Sequence, residues 1–199
     1  MAKLKGVTAT FCHRNALDSK IAYFLQEIPP KLERDYISIF YGSGTKTHDA
    51  DFKVAGAAIA RIMEKYPNVK LTIIGYLTLP DYLKPYSERV NRVGLLSNLD
   101  VYWEFLFQSD INIAPLSKSL FNDCKSEIKW LEAAIFGIPS VVSSTQMYLE
   151  VLQDGQDSLI ADNSEEWFDK LDLLVSNSQV RLQIAENAKI KHYKITNQS

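Results

Sequence analysis

The chain has 199 residues, of which 46% are hydrophobic and 23% are charged, with 8 glycines and 7 prolines. These values exclude a disordered, collagen-like or low-complexity chain, and the length suits one domain or one domain with an appendage. With 22 Lys and Arg against 24 Asp and Glu, the formal net charge is −2, so there is no basic excess to hold a nucleic-acid backbone.

The two cysteines, Cys12 and Cys124, are far apart and no CxxC or His-rich spacing accompanies them. A bound metal is therefore not expected, and two free thiols are typical of a reducing compartment. The first residues lack the apolar stretch of a signal peptide, and the longest nearly apolar run, 133–142, is about half as long as a bilayer helix. These features predict a cytoplasmic protein with no transmembrane segment.

The first 35 residues fit a regular pattern poorly. They contain a short apolar run at 7–11 and a helical stretch at 18–26, followed by a Pro-Pro pair and a charged run that ends at Asp35. We therefore assign residues 1–35 to the remnant of an upstream segment and a linker, and residues 36–199 to the main domain.

From residue 36 onward, strand patterns alternate with helical patterns. Strands are predicted at 36–41, 69–74, 90–94, 110–114, 139–142 and 158–161, and helices at 49–65, 99–108, 126–136 and, in two parts separated near 176–177, at 164–193. Strands this continuous in apolar residues are typical of a parallel sheet covered on both faces. The predicted fold is α/β, a Rossmann-like doubly wound parallel sheet of about six strands flanked by helices. Ligands in such a fold bind beyond the carboxyl ends of the strands, here after Tyr41, Ile74, Val93 and Ala114.

The first candidate site is the loop 42–49, with the sequence Gly-Ser-Gly-Thr-Lys-Thr-His-Asp between a strand and a helix. Its glycines permit a tight turn with outward N–H groups, its hydroxyls are donors and Lys46 adds a positive charge, which suits a phosphate. The loop matches neither the GxGxxG nor the P-loop pattern. A plain turn in which Asp49 caps the next helix would use the same residues.

The second candidate site is the segment 121–134, which follows the strand ending near residue 114. A helix is predicted to begin at Ser126, whose hydroxyl can cap it, so that Lys125 and Glu132 project within about 20° of each other. A lysine beside a helix N-terminus would hold a phosphate, and a glutamate two turns deeper would accept hydrogen bonds from sugar hydroxyls. The alternative is a charged pair on the solvent face of an amphipathic helix.

The same helix has a predicted apolar stripe that faces the core. The stripe consists of Ile128, Leu131 and Ile135, which recur at helical spacing. Trp130 and Ala134 fall on other faces of the helix, so the stripe accounts for only part of its apolar surface.

At these two motifs the chain resembles the C-terminal, nucleotide-sugar-binding domain of GT-B-type retaining glycosyltransferases of the large group 1 family. The resemblance covers about residues 36–190. The matching segments are 41–49, 69–75, 92–95, 110–116, 121–122, 125–127, 131–134, 137–142, 152–155 and 159–160.

The resemblance implies a nucleoside-diphosphate sugar as donor substrate, with no further cofactor and no metal in a protein site. The residues implied to contact the donor are Gly44, Thr45 and Lys46 for the diphosphate, Gly94 and Leu95 for the base, Lys125, Ser126 and Glu127 for a phosphate, and Glu132 for the ribose. Of these, Lys46, Lys125 and Glu132 are the implied catalytic residues, the lysines because they would meet the charge that develops on the leaving diphosphate.

Two features depart from the family pattern. The common form of the motif has two glutamates separated by seven residues, and Cys124 stands where the first would be. GT-B enzymes also have two Rossmann-like domains, and the acceptor-binding domain would precede residue 36, where 14–17 resembles an interdomain connection. The resemblance therefore implies a donor half that works with an N-terminal acceptor-binding domain and is weakly active or inactive alone.

Two other functions stay open at this point. Cys124 in place of glutamate favours a non-catalytic Rossmann-like module that binds a nucleotide or another protein. A nucleotide-sugar epimerase shares the architecture, but the acid–base set of carboxylates and histidines that it needs is not evident. The resemblance also leaves open whether the full-length protein works at the membrane surface, and it specifies neither the sugar, the base nor the acceptor.

Overall fold

The computed structural model describes residues 20–44 and 49–196. Six strands form one sheet, and in chain order they are β1 (Ile37–Gly44), β2 (Val69–Gly75), β3 (Val90–Val93), β4 (Ile111–Ala114), β5 (Ser140–Ser143) and β6 (Leu159–Ala161). Their spatial order is β3-β2-β1-β4-β5-β6, and all neighbours are parallel. The predicted doubly wound parallel sheet is confirmed, and its topological switch point lies between β1 and β4.

Helices cover both faces of the sheet. The α-helices are α1 (Lys20–Glu27), α2 (Asp49–Lys65), α3 (Leu99–Phe107), α4 (Leu120–Asp123), α5 (Ile128–Ile135), α6 (Gln146–Val151), α7 (Ser164–Ser176) and α8 (Ser178–Thr196), and a 3-10 helix spans Asp81–Arg89. Within the described ranges, no helix has both the length and the apolar character needed to cross a bilayer.

The core lies on both sides of the sheet because successive strand residues face opposite ways. Ile39 and Tyr41 of β1 pack in a cluster with side chains of α2 and α7. Phe40, between them, packs in another cluster with side chains of α1, α3 and α5. All three are fully buried, which explains the continuous apolar strand patterns in the sequence.

The structure corrects the prediction for the motif helix, α5. The helix begins at Ile128 rather than Ser126, and Glu127 occupies its N-cap position without a side-chain capping hydrogen bond. Trp130 and Ala134, assigned from the sequence to faces away from the core stripe, are fully buried. The reason is that α5 packs against β4, β5, α3 and α8 together, so a single apolar stripe underestimates its buried surface.

Three short helical elements were not predicted. The 3-10 helix lies in a stretch that was predicted to be irregular, and α4 and α6 have only 4 and 6 residues. Helices as short as α4 and α6 complete fewer than two turns, so they show no repeated apolar spacing, and the 3-10 helix has three residues per turn and contains Pro85.

The described part of the predicted linker, residues 20–35, packs against the domain. The Phe24 ring of α1 lies 5.6 Å from the Trp103 ring and 5.9 Å from the Phe136 ring, measured between centroids. The upstream domain stays a prediction. Residues 1–19, for which a short apolar run and the start of a helix are predicted, lie outside the described residues.

Ion pairs hold the end of this segment beside the amino-terminal ends of β1 and β4. Lys31 and Arg34 form ion pairs with the two carboxylate oxygens of Asp110, at 3.1 and 3.3 Å. Asp110 also accepts a hydrogen bond from the backbone N–H of Ser38, at 2.8 Å. One carboxylate thus joins the incoming segment to β1 and β4.

Candidate functional site

Two glycines, Gly44 and Gly75, allow the backbones at the carboxyl ends of β1 and β2 to approach closely. Gly75 has φ +103°, and a Cβ there would lie 2.6 Å from the backbone nitrogen of Gly44. Gly44 itself has φ +76° and accepts a hydrogen bond from the backbone N–H of Tyr76, at 3.0 Å. These positions explain the glycines at the start of the first candidate loop. Thr45 and Lys46 lie outside the described residues, so their implied phosphate contacts stay predictions.

The first turn of α2 holds a buried carboxylate, that of Asp51, which is 4% exposed. Its Oδ1 accepts hydrogen bonds from the backbone N–H of Ser117, from the Ser117 hydroxyl and from Asn122 Nδ2, at 2.9, 2.8 and 2.9 Å. Lys125 Nζ lies 3.3 Å from Oδ2. Asp51 therefore joins α2 to the segment that follows β4, and sequence reasoning had missed it.

Lys125 does not share a helix face with Glu132, contrary to the prediction. Lys125 precedes α5, which begins at Ile128, and its side chain is turned toward Asp51. About a quarter of the Lys125 side chain is exposed, so the ammonium group lies at the edge of the site with its position set by Asp51.

Glu132 lies on α5 beside α3. Trp103 Nε1 donates a hydrogen bond to its Oε1 at 3.1 Å, and the Trp103 side chain is buried. Burial raises the pKa of Glu132, and the Trp103 hydrogen bond and the charge of Lys129 lower it. The carboxylate is thus oriented by a rigid indole, as expected of a group that positions a ligand.

Tyr102 brings β1 into the same cluster. A Cβ at Gly42 would lie 2.5 Å from the Tyr102 hydroxyl, so glycine leaves room for that group at the end of β1. The Tyr102 ring packs edge-on against Phe40, with centroids 5.4 Å apart. Burial raises the pKa of the Tyr102 hydroxyl, and the negative charge of Glu132 raises it further. The end of β1 therefore lies beside Tyr102 of α3, whose hydroxyl is close enough to Glu132 of α5 to be affected by its charge.

An open cleft of about 730 Å³ lies beyond the carboxyl ends of β2 and β3. Its lining residues are Gly75, Tyr76, Leu77, Thr78, Leu79, Lys84, Arg92, Val93 and Gly94. Gly94 has open space where a side chain would be, and Leu95 is 58% exposed. The cleft has the size of a small-molecule site, at the place where the resemblance puts the base.

Arg92 and Lys84 are polar members of this cleft that sequence reasoning had missed. Arg92 donates a hydrogen bond from Nη2 to the carbonyl oxygen of Leu77, at 2.9 Å, which fixes its side chain along the cleft wall. Lys84 belongs to the 3-10 helix that follows β2. The signal available was position alone, since Lys84 lies between two predicted strands and Arg92 lies near the carboxyl end of the second.

Lys129, in the first turn of α5, is a further residue that the sequence did not indicate. Its Nζ is buried and has no hydrogen-bond partner. Burial lowers the pKa of Lys129 to about 8, in the same direction as the charge of Lys125, while Asp51 and Glu132 act to raise it. A lysine at a helix start is normally solvated, so its burial follows only from the tertiary structure.

The start of α5 includes Ser126 and Glu127. Ser126 lines a small cavity of about 160 Å³ together with Lys125 and Lys129. Glu127 is 1% exposed, and its charge adds to the effect of burial in raising the pKa of Tyr148 in α6. The Glu127 carboxylate is therefore not accessible to a ligand. The phosphate contact implied for Glu127 stays a prediction, and its backbone N–H would have to make that contact.

The structure shows a free, exposed thiol at Cys124, where the family pattern has its first glutamate. Within 20–44 and 49–196, no group of three or more His, Cys, Asp and Glu side chains comes together to hold a metal ion. The polar groups of the site described above are carboxylates, amines, a guanidinium, hydroxyls, the Cys124 thiol and amides.

Residues 37–177 match the family model described as "Glycosyl transferases group 1". No curated protein sequence gives a significant match to the chain.

Solved structures resemble the fold. The C-terminal domain of a glycosyl transferase group 1 family protein (LpcC) from Francisella tularensis is 18% identical, with a TM-score of 0.60 over 91% of this chain and 94% of that one. Anabaena Alr3699/HepE, in complex with UDP and glucose, is 17% identical, with a TM-score of 0.61 over 92% of this chain and 51% of that one. A putative UDP-N-acetylglucosamine 2-epimerase from Listeria monocytogenes is 15% identical, with a TM-score of 0.59 over 92% and 47%. These likenesses show a shared fold, and the chain spans about half the length of the last two proteins.

Proposed function

Because the chain belongs to the glycosyl transferases group 1 family, we propose that it is the donor-binding half of a glycosyltransferase. In this proposal the enzyme transfers a sugar from a nucleoside-diphosphate sugar to an acceptor, with retention at the anomeric carbon. An N-terminal domain would bind the acceptor, so the domain described here would bind the donor and turn over slowly or not at all by itself.

The observation that carries the proposal is the oriented carboxylate of Glu132. Trp103 holds it on α5, and its charge acts on the Tyr102 hydroxyl, which lies beside Gly42 near the end of β1. A nucleoside diphosphate consists of a base, a ribose and a diphosphate, and each of these parts would need its own binding position. The base would enter the cleft near Gly94, the ribose hydroxyls would donate to Glu132, and the diphosphate would lie at the start of α5.

The chemistry of transfer needs positive charge at the diphosphate. The bond between the anomeric carbon and the diphosphate oxygen breaks, and a bond from that carbon to the acceptor oxygen forms. The acceptor hydroxyl gives its proton to a base that the acceptor-binding domain would supply. Negative charge then develops on the leaving diphosphate. Lys125, the N-terminal end of α5 and, as the resemblance implies, Lys46 would stabilise that charge electrostatically.

Asp51 supports this arrangement by holding Lys125. The Asp51 carboxylate is buried and accepts hydrogen bonds from Ser117 and Asn122 as well as pairing with Lys125. The ammonium group is therefore placed before the donor arrives, which reduces the entropy that binding would otherwise cost. In this role Asp51 is a positioning residue and has no contact with the donor.

Isothermal titration of the chain with UDP, GDP, ADP and TDP tests the proposal. UDP is the first choice because Anabaena Alr3699/HepE was solved with UDP and glucose. We expect saturable binding of one of these nucleotides and a loss of about tenfold or more in Glu132→Gln, since a hydrogen bond to a charged group contributes ~1.5–3 kcal/mol. Glu186→Gln is the matched control, because Glu186 is exposed on α8, and it should bind as the wild type does. A folded wild-type chain that binds none of the four nucleotides would contradict the proposal.

A second candidate, a non-catalytic nucleotide-binding or interaction module, is favoured by Cys124, which is exposed where the family pattern has a glutamate. The two functions separate when the chain is assayed together with the acceptor-binding domain. Release of nucleoside diphosphate that depends on an acceptor supports the transferase. Nucleotide binding without such release supports the module, and conversion of the nucleotide sugar without an acceptor would indicate an epimerase.

A further inference from the structure

The side-chain amine of Lys129, in the candidate donor site, is buried and has no hydrogen-bond partner. The Nζ of Lys129 carries up to three N–H groups, and in this structure it donates to no acceptor. It lies 5.2 Å from the centroid of the Tyr41 ring, on β1. A buried polar group in this condition loses its hydration without compensation, so an acceptor that enters the site gains an unusually favourable partner.

The charged groups that act on Lys129 come from α2, from α5 and from the residues just before α5. Asp51 of α2 and Glu132 of α5 are negative, and Lys125, before α5, is positive. Asp51 accepts hydrogen bonds from Ser117 and Asn122 and pairs with Lys125, and Glu132 accepts one from Trp103. The two carboxylates therefore act on Lys129 through space, and neither of them hydrogen bonds to it.

The titratable groups of the remaining neighbours are tyrosines. Tyr41 lies beneath the amine on β1, and Tyr148 of α6 lines the same small cavity as Lys129. Burial raises the pKa of both hydroxyls, so they stay neutral over the range in which the lysine titrates. The two tyrosines therefore do not change their charge while Lys129 titrates.

The position of Lys129 suits an anion. It lies in the first turn of α5, where the helix dipole favours negative charge, and it lines the cavity of about 160 Å³ beside Lys125 and Ser126. It is three residues, less than one turn, from Glu132, so a group bound at Glu132 through its ribose would carry its phosphates toward this amine. The lysine side chain has a flexible four-carbon stem, so the ammonium group can change position to contact the ligand.

We propose that Lys129 is a further donor-binding residue, whose ammonium group contacts the diphosphate of the nucleotide; this rests on the function proposed above. With a pKa of about 8, only about half of the free protein carries this charge at pH 8, and the bound diphosphate would complete the protonation. Binding of the nucleotide should accordingly draw a proton from solution near pH 8, because the anion stabilises the protonated amine.

The experiment is titration with UDP, or with whichever of the four nucleotides binds, at pH 7, 8 and 9 in buffers of different ionisation enthalpy. At pH 8 we expect an uptake of about half a proton for each nucleotide bound, since the free amine titrates at about 8. Between pH 7 and 9 we expect the affinity to fall by about tenfold, because the competent protonated fraction falls by that factor.

Three variants separate a contact from a structural role. Lys129→Met should weaken binding of the diphosphate by about tenfold or more and leave binding of the bare nucleoside unchanged, since only the phosphate contact is lost. Lys129→Arg should retain the affinity but lose the proton uptake, because arginine stays charged at every pH used. Lys70→Met is the matched control, because Lys70 is exposed on β2 and lies over the Tyr36 ring, so it should behave as the wild type.

The outcomes distinguish this inference from the proposed function. A wild-type chain that binds the nucleotide with no proton uptake at pH 8 overturns the role of Lys129 and leaves the donor-binding function standing. The same holds if folded Lys129→Met binds the diphosphate as tightly as the wild type. If the wild type binds none of the four nucleotides, both proposals fall together.

Discussion

Burial raises the pKa of Glu132 above that of a glutamate in the unfolded chain. The folded state therefore favours the protonated carboxyl, and the stability contributed by this residue is present at low pH and lost as the pH rises through the folded-state pKa. At neutral pH the charged carboxylate thus lowers the free energy of unfolding. A destabilising charge in the candidate site is expected of a residue kept for binding.

A prediction follows for Glu132→Gln, which keeps the shape and an oxygen for Trp103 but removes the charge. Nucleotide affinity should fall, while the free energy of unfolding at pH 7 should equal or exceed that of the wild type. The difference in stability should shrink toward pH 4, where the wild-type carboxyl is protonated as well. Urea unfolding at the two pH values measures this, and a variant that is clearly less stable than the wild type at pH 7 would count against the argument.

Single residues differed in how far the sequence could predict them. Glu132 was identified from its place in a motif, and its exposure, partner and pKa came only from the structure. Lys129 and Asp51 were missed because both are charged residues in first helical turns, where solvent exposure is the normal expectation. Asp51 is buried against Ser117 and Asn122, and Lys129 lies over the Tyr41 ring of β1. No local pattern contains these contacts.

At the scale of elements, the junction of β1 and β2 depends on a glycine. Gly75→Ala should lower the free energy of unfolding by at least about 3 kcal/mol, because the methyl group would add a steric collision with Gly44 to the strain of a positive φ. Urea denaturation of the variant and the wild type measures the loss.

The matched control for this glycine is Gly155→Ala. Gly155 has a similar positive φ of +74°, but no atom lies within 4 Å of the added methyl group. That variant should lose about 1 kcal/mol, the cost of the backbone conformation alone. Equal losses in the two variants would show that the close approach of β1 and β2 has no energetic weight.

The contact between α2 and the segment after β4 depends on Asp51. Asp51→Asn should lower the free energy of unfolding by ~2–3 kcal/mol, because it leaves Lys125 without its charge partner and weakens several hydrogen bonds to a buried acceptor. It should also weaken nucleotide binding, since Lys125 is no longer held in place. Asp169→Asn, on the exposed side of α7, is the control, and thermal unfolding that does not distinguish the two variants would contradict this account.

The longer elements could be predicted from the sequence because their patterns are repeated. The strands other than β3 are largely buried on both faces and show continuous apolar runs, and α2 repeats its apolar spacing over 17 residues. The start of α5 was misplaced by two residues because Ser126 is a good capping residue in general, while here Glu127 takes that position. The short α4 and α6 are fixed by tertiary contacts, as when the backbone N–H of Gln146 donates to Asp123, at 3.0 Å.

Over the whole molecule, residues 20–35 form part of the folded unit through Asp110. Asp110→Asn should lower the free energy of unfolding by ~1–3 kcal/mol, since the carboxylate pairs with Lys31 and Arg34 and accepts a hydrogen bond from Ser38. Limited proteolysis should also cleave the chain between residues 28 and 36 faster in this variant, because local opening of the segment costs less.

Asp81→Asn serves as the control for Asp110. Asp81 pairs with Lys84 on an exposed surface, so its loss should leave both stability and the rate of cleavage unchanged. If Asp110→Asn behaves like this control, the attachment of residues 20–35 does not depend on the carboxylate.

The central claim is that a nucleoside diphosphate binds along the carboxyl edge of the sheet. The most direct measurement is a ¹⁵N–¹H correlation spectrum of the chain, recorded during titration with the nucleotide that binds. We predict that the amide shifts concentrate at Gly44, Gly75, Gly94 and the first turn of α5, with the Trp103 indole N–H shifting as Glu132 engages the ribose. Shifts confined to Gly155, to Gln108 or to other groups away from that edge would show that the nucleotide binds elsewhere and would contradict the account.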